Sequence, residues 1–197
     1  MSNLKPLQIH SHIILKLLNA LNKEPIKTRI LLQKIAFLIL RKYKELFKQV
    51  DFKPHKFGPH SASLGETLEE LKNLNYIHED RESGIKITAE GEKYLNDLEE
   101  SLGYEKRKKL KEFEQFIEFI KKEFNDFSKD EILAFIYKQF PQYISNSIIS
   151  DTIDYKKEFL KLYEKGKFGI SKIAELLQCS YDDIYDYIKK NSKLMLL

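Results

Sequence analysis

The sequence predicts a mainly α-helical fold with one small β-hairpin, and three observations carry that reading. Apolar residues recur at helical spacing along most of the chain, first as Ile9, Ile13, Ile14, Leu17, Leu18 and Leu21. A strand–turn–strand pattern stands among those stretches, with Tyr76–Asp80 and Ile85–Thr88 as strands around Arg81–Gly84. The 197 residues are 42% hydrophobic with 7 Gly and 5 Pro, which excludes collagen-like and disordered classes.

The first helix is expected over 7–22, ended by Asn22-Lys23-Glu24-Pro25. Thr28 then opens a long helix to about Lys48, apolar on nearly every side at its centre. Pro54 and Pro59 make 51–60 irregular or extended. Ser61 to Ser63 can cap a helix over about 62–74, with Leu64, Leu68, Leu71 and Leu74 on one face. The strand–turn–strand follows, and Thr88 caps a further helix. Helix, helix, helix, hairpin, helix is the order of a winged helix-turn-helix with a small β-hairpin wing.

The run Lys56-Phe57-Gly58-Pro59-His60-Ser61, then Leu64, Leu68, Leu71 and the exit Asn75-Tyr76-Ile77, carries a family resemblance. It is similar to the Panacea (SocA-like, antitoxin-associated) domain and its prokaryotic relatives, over about residues 8–98. That resemblance implies a winged-helix fold in a small regulatory or neutralising protein. It implies no particular DNA sequence or partner.

Beyond residue 100 the pattern stays helical. Leu110, Phe113, Ile117, Ile120 and Phe124 repeat at 3-4-3-4 spacing over 104–125, with Phe116 and Phe119 widening the stripe. Two readings stand: a linker helix packed on its own core, or a homodimer contact. Ser128 and Glu131 form a capping box for a helix that Pro141 stops. From Gly169 the chain reads as helix, tight turn and capped helix, with Ser180 as the cap. Over about 160–190 it resembles the C-terminal helical pair of small antitoxin-like regulators. The expected domains are a winged helix at 1–100, a linker helix at 101–127 and a helical C-terminal module at 128–197.

Charge is unevenly spread. Residues 1–60 carry net +9, residues 61–105 net −8, and the rest net +3. The basic first third suggests a polyanion or an acidic partner, unless the two segments neutralise each other in one fold. Lys27, Lys34, Arg41 and Lys48 are spaced by seven, which puts them on one stripe of a helix, with Lys44 on the same side. Such a stripe can follow a phosphate backbone, or be a solvated face. The helix at the usual recognition position holds Glu66, Glu69 and Glu70 against Lys72, which disfavours a major-groove dock. The candidate cations for double-stranded DNA are therefore Lys27, Lys34, Arg41, Lys44 and Lys48, with Lys53 and Lys56 from the loop.

The last helix opens with Asp182 and Asp183, which repel phosphate and also suit a helix N-terminus. Tyr181, Asp182, Asp183 and Tyr185 are accordingly candidates for contact with a protein partner or toxin. Tyr187 could join them or pack in the core. His10 and His12 are two apart and face different ways on a helix. His55 and His60 flank Gly58-Pro59 without an adjacent carboxylate set. No Ser-His-Asp order, Gly-rich phosphate loop or His-Glu-x-x-His occurs. The expectation is no metal, no cofactor and no catalysis. Cys179 is the single cysteine, so no internal disulfide forms. The densest apolar run, around Ile30–Leu40, falls short of the ~20 residues of a membrane span. With no signal-peptide pattern at the first residues, a cytoplasmic location is expected.

Overall fold

The computed structural model describes residues 6–100 and 104–192, with side chains for all of these except 6–8, 44, 46, 47 and 104–109. The chain is mainly helical and divides into two compact units, residues 1–53 with 59–126, and residues 54–58 with 127–197. Among the described residues no helix is long and apolar enough to cross a membrane.

In the first unit α1 (Pro6–Lys23) buries Ile9, Ile13, Ile14, Leu17 and Leu18. Its regular geometry ends earlier than the expected Asn22. Ala20 is extended, and Leu21, Asn22 and Lys23 take φ of 53°, 51° and 62°. The last helix of the unit, α6 (Tyr104–Phe124), closes that end. Glu118 accepts the Leu21 N–H at 2.8 Å, and the buried Lys121 ammonium donates to the carbonyls of Ala20 (2.8 Å) and Leu18 (3.3 Å). Carbonyls left open at a helix C-terminus are thereby satisfied by a cation.

The long helix expected over 28–48 is two helices, α2 (Arg29–Arg41) and α3 (Lys44–Val50). Thr28 caps α2 through the Leu31 N–H. At its far end the Lys42 and Tyr43 N–H groups turn back to Ile39 and Leu40, three residues away, tightening the last turn. The Tyr43 ring packs edge-on against Phe113 and Phe116, at 5.0 and 5.9 Å. Aromatic packing against α6 replaces helix continuation there.

Strands β1 (Lys53–His55) and β2 (Gly58–His60) pair as a small sheet within the stretch expected to be irregular or extended. Ser61 caps α4 (Ala62–Asn73). Strands β3 (Ile77–Asp80) and β4 (Gly84–Ile87) pair antiparallel, Ile77 opposite Ile87 and Asp80 opposite Gly84. Ile26 bridges Ile85 through two backbone bonds of 2.9 and 3.1 Å, adding a one-residue third strand. That bridge needs glycine at 84, where φ is +77° and a Cβ would lie 2.8 Å from the Ile26 carbonyl oxygen. Thr88 accepts the Gly91 N–H and opens α5 (Ala89–Glu100).

The core of this unit lies where α1, α2 and α6 meet, beside α4 and the β3–β4 hairpin. The α6 stripe Leu110, Phe113, Ile117, Ile120 and Phe124 is buried in it. The stripe read as a homodimer contact is thus consumed inside its own unit, and Phe119 stays 58% exposed.

The second unit contains α7 (Lys129–Gln139), α8 (Tyr155–Glu164), α9 (Ile170–Leu177) and α10 (Tyr181–Asn191). The Ser128–Glu131 capping box forms at the start of α7, and Ser180–Asp183 makes a second one at α10. Pro141–Tyr143 is a 3-10 turn. The polar stretch after it is held by the Ser147 hydroxyl, which accepts the N–H groups of Ile149 and Ser150 and pairs with the Tyr137 hydroxyl at 2.7 Å. Phe168 gathers Phe127, Phe135 and Phe159 within 5.5 to 6.3 Å. Residues 54–58 belong here: the Lys56 carbonyl accepts the Ile148 N–H, and the Lys129 ammonium lies 4.7 Å from the Phe57 ring centre.

Candidate functional site

The Gly58–Ser61 element is built into the fold. The Gln33 side-chain amide accepts the Ser61 N–H at 3.1 Å and donates to the Ser61 carbonyl at 2.9 Å, imitating a β-bridge in the interior. The Ser61 hydroxyl donates to the Val50 carbonyl at 2.5 Å. Next to Gln33, the Lys34 ammonium donates to the Pro59 carbonyl at 2.7 Å. Lys34 is only 2% exposed, and burial lowers its pKa from the usual lysine value to about 7.

This corrects the cationic stripe. Lys34 points into the core, because α2 is surrounded on nearly every side, with every residue from Leu31 to Phe37 buried. The stripe is also cut at Lys42–Tyr43, where α2 ends. Lys27 and Arg41 are exposed. Lys48 is exposed and pairs with Glu45 at 3.0 Å, and exposed Lys53 pairs with Asp51 at 2.8 Å. Lys56 is exposed in the 54–58 segment of the second unit, and the Lys44 side chain lies outside the described residues.

A charge network that sequence reading missed joins α2, α4 and β3. The Arg29 guanidinium grips the Glu79 carboxylate through Nε (2.5 Å) and Nη2, and reaches Glu69 through Nη1. Lys72 adds a second cation to Glu79 at 3.1 Å. Hydrogen bonds from Arg29 hold the Glu79 carboxyl down at about 2, against a smaller opposing effect of burial. Glu66, Glu69 and Glu70 are exposed along α4. At the hairpin turn Asp80 accepts the N–H and the hydroxyl of Ser83, both at 2.8 Å, and the Glu82 N–H at 2.6 Å, which holds its carboxyl at about 2.

The two histidines of α1 are buried and separate. His10 lies 3.3 Å from the Gln49 carbonyl, and His12 lies 3.1 Å from Glu99, which also binds Lys16 at 2.6 Å. Lys16 in turn binds Glu114. Burial raises the Glu99 carboxyl, but the bonds from His12 and Lys16 outweigh it and leave it below the usual range. The contacts span 87 and 98 positions along the chain, so no local pattern announces them. Among the described residues no group of three or more His, Cys, Asp or Glu is placed to hold a metal.

On α10 the expected partner face divides. Tyr181 and Tyr185 are 51% and 38% exposed, and their rings stack at 6.3 Å with 14° between planes. Asp182 is exposed beside them. Asp183 is committed to its capping box, accepting from the Ser180 hydroxyl at 2.7 Å. Tyr187 is half-buried, with the Lys156 ammonium 5.6 Å from its ring centre. Compared with family models, curated proteins and solved structures, this chain finds no match.

Proposed function

We propose that this protein is a non-catalytic, antitoxin-like interaction module, with a winged helix as its first unit and protein partners as its targets. The winged-helix assignment is supported by the order α1, Ile26 bridge, α2, α4, β3–β4 hairpin and α5, in which Ile26 pairs with the second hairpin strand. The resemblance of residues 8–98 to the Panacea domain points the same way.

The observation that carries the partner reading is α4. Its exposed side presents Glu66, Glu69 and Glu70, and the nearby Arg29 is tied to Glu69 and Glu79. A phosphate backbone meets carboxylates where a winged helix would enter the major groove. The stacked, exposed Tyr181 and Tyr185 of α10 supply large contact area with little side-chain entropy to lose, as protein interfaces favour.

The test uses the whole chain as bait in extract of the cells that express it, beside a Tyr181→Ala/Tyr185→Ala variant. A protein recovered by the wild type, unaffected by nuclease, then rebinds when purified, with affinity at least about tenfold weaker for the variant. Recovery that disappears with nuclease overturns the reading. Exposed Lys27, Arg41, Lys48 and Lys53 favour a second reading, duplex DNA held by phosphate contacts alone.

A further inference from the structure

Three surfaces stand outside the sites above: the exposed Phe119 beside Phe116, the polar groove along Lys16, Glu114 and Glu118, and the outer side of α4 with α5. In the first, the Lys42 ammonium already covers the Phe116 ring at 4.2 Å, and in the second Lys16 is paired with Glu114 while Glu118 accepts the Leu21 N–H. The third is open.

Leu74 ends α4 at 52% exposed, second only to Ile148 among the large aliphatic side chains of the described residues. Glu70 and Glu66 precede it by four and eight residues, so all three follow one side of α4. The left-handed Asn75 (φ 59°) turns the chain, and Tyr76 stacks on Tyr94 of α5 with ring centres 4.6 Å apart and 14° between planes. Both rings are half-buried. The stack is fixed from below: the Tyr76 carbonyl fits against Gly91, where a Cβ would lie 2.0 Å from its oxygen. On α5, exposed Glu90 and Asp97 lie four before and three after Tyr94, on its side of the helix, with exposed Lys93 beyond them. Burial raises the Tyr94 hydroxyl, and nearby Tyr76 and then the charge of Glu70 add to that, so Glu70 lies close to this ring.

From this geometry we infer that Leu74, Tyr76 and Tyr94, rimmed by Glu66, Glu70, Glu90 and Asp97, form a docking face for a protein segment that presents an apolar side chain between lysines or arginines. Charge selects the occupant. The rim carries four carboxylates against Lys93, within a stretch, 61–105, of net −8. Nucleic acid is repelled, and a second copy would bring the same carboxylates face to face in an isologous contact. A cationic segment gains at the rim, while its apolar residue covers Leu74 and the tyrosine stack. The inference rests on the protein-partner reading and adds a second surface to it, on the other unit from α10.

The test is an amide NMR titration of the whole ¹⁵N-labelled chain with an amphipathic Lys/Leu peptide and with its Glu/Leu counterpart. The face predicts shifts for Glu70, Leu74, Tyr76, Tyr94 and Asp97 with the Lys/Leu peptide only. Affinity falls at least about tenfold in both Leu74→Ser and Glu70→Lys/Asp97→Lys, two surface variants that keep the wild-type spectrum elsewhere. Shifts confined to α10, or equal binding of the Glu/Leu peptide, overturn this face while leaving the partner reading intact. Dimerisation in solution that Leu74→Ser abolishes overturns it in favour of a second copy.

Discussion

The Lys34 ammonium and the Pro59 carbonyl meet at 2.7 Å in the interior of the first unit, without a carboxylate among the bonds Lys34 makes. A single neutral acceptor compensates a buried cation poorly, which is why its pKa falls to about 7 from 10.5. Over that interval the unfolded chain binds a proton that the folded chain does not. Stability therefore rises as pH climbs from about 7 toward 10.5, and this contribution is absent below about 7. The rise from this group is on the order of 2–5 kcal/mol. Lys121, lowered by burial to about 8, acts in the same direction. Denaturant melts at pH 7 and pH 9.5 check it: the gain shrinks in Lys34→Met, whereas an equal gain in both proteins removes the assignment.

Lys34→Ala and Lys34→Met separate the charge from the packing. The alanine variant leaves a cavity and an unpaired Pro59 carbonyl, costing about 2–4 kcal/mol at pH 7. The methionine variant fills the space and removes the charge, so its loss at pH 7 stays below about 1.5 kcal/mol. Equal losses would show that the hydrogen bond, and not the filled volume, dominates.

The Arg29–Glu79 pair predicts an acid limb. Glu79 is held at about 2, so its contribution is present above the unfolded value near 4.5 and is lost as pH falls toward 2. Arg29 is partly exposed, and solvent screening reduces the pair to about 1–2 kcal/mol. Melting curves from pH 6 to pH 3 should be flatter for Arg29→Gln than for the wild type. Parallel curves would mean that other carboxylates govern acid unfolding.

Gly91 gives a test with opposite signs. By helix propensity alone Gly91→Ala gains ~1 kcal/mol. The Tyr76 carbonyl oxygen, 2.0 Å from where the methyl would stand, makes the prediction a loss of more than ~2 kcal/mol. A higher melting temperature for Gly91→Ala would contradict the close approach of α5 to Tyr76.

Helix positions were legible because their signals are local. The Ser128–Glu131 capping box, the Thr28 and Ser61 caps and the β3–β4 hairpin all follow from residues within a few positions of one another. What depends on distant packing was not. The α2–α3 break is set by Tyr43 against α6, about 70 residues away, and a helix apolar all round offers no period from which to orient Lys34. The same holds at the surfaces. Tyr181 and Tyr185 share a side by their four-residue spacing, whereas Arg29 meets Glu69 and Glu79 across 40 and 50 positions. The Tyr76–Tyr94 stack likewise needs the chain folded before its two halves meet.

On the proposed reading, the exposed carboxylates of α4, and not a continuous cationic stripe, mark the side of the first unit that meets a partner. Fluorescence anisotropy with a mixed-sequence duplex at about 50 and 200 mM salt tests it, using the wild type beside Lys27→Glu/Arg41→Glu/Lys48→Glu. The expected result is weak binding at about 50 mM salt, none at about 200 mM, little change in the triple glutamate variant, and a gain in a Glu66→Lys/Glu70→Lys variant. Tight binding by the wild type that persists at 200 mM salt and is lost in the triple glutamate variant would contradict it.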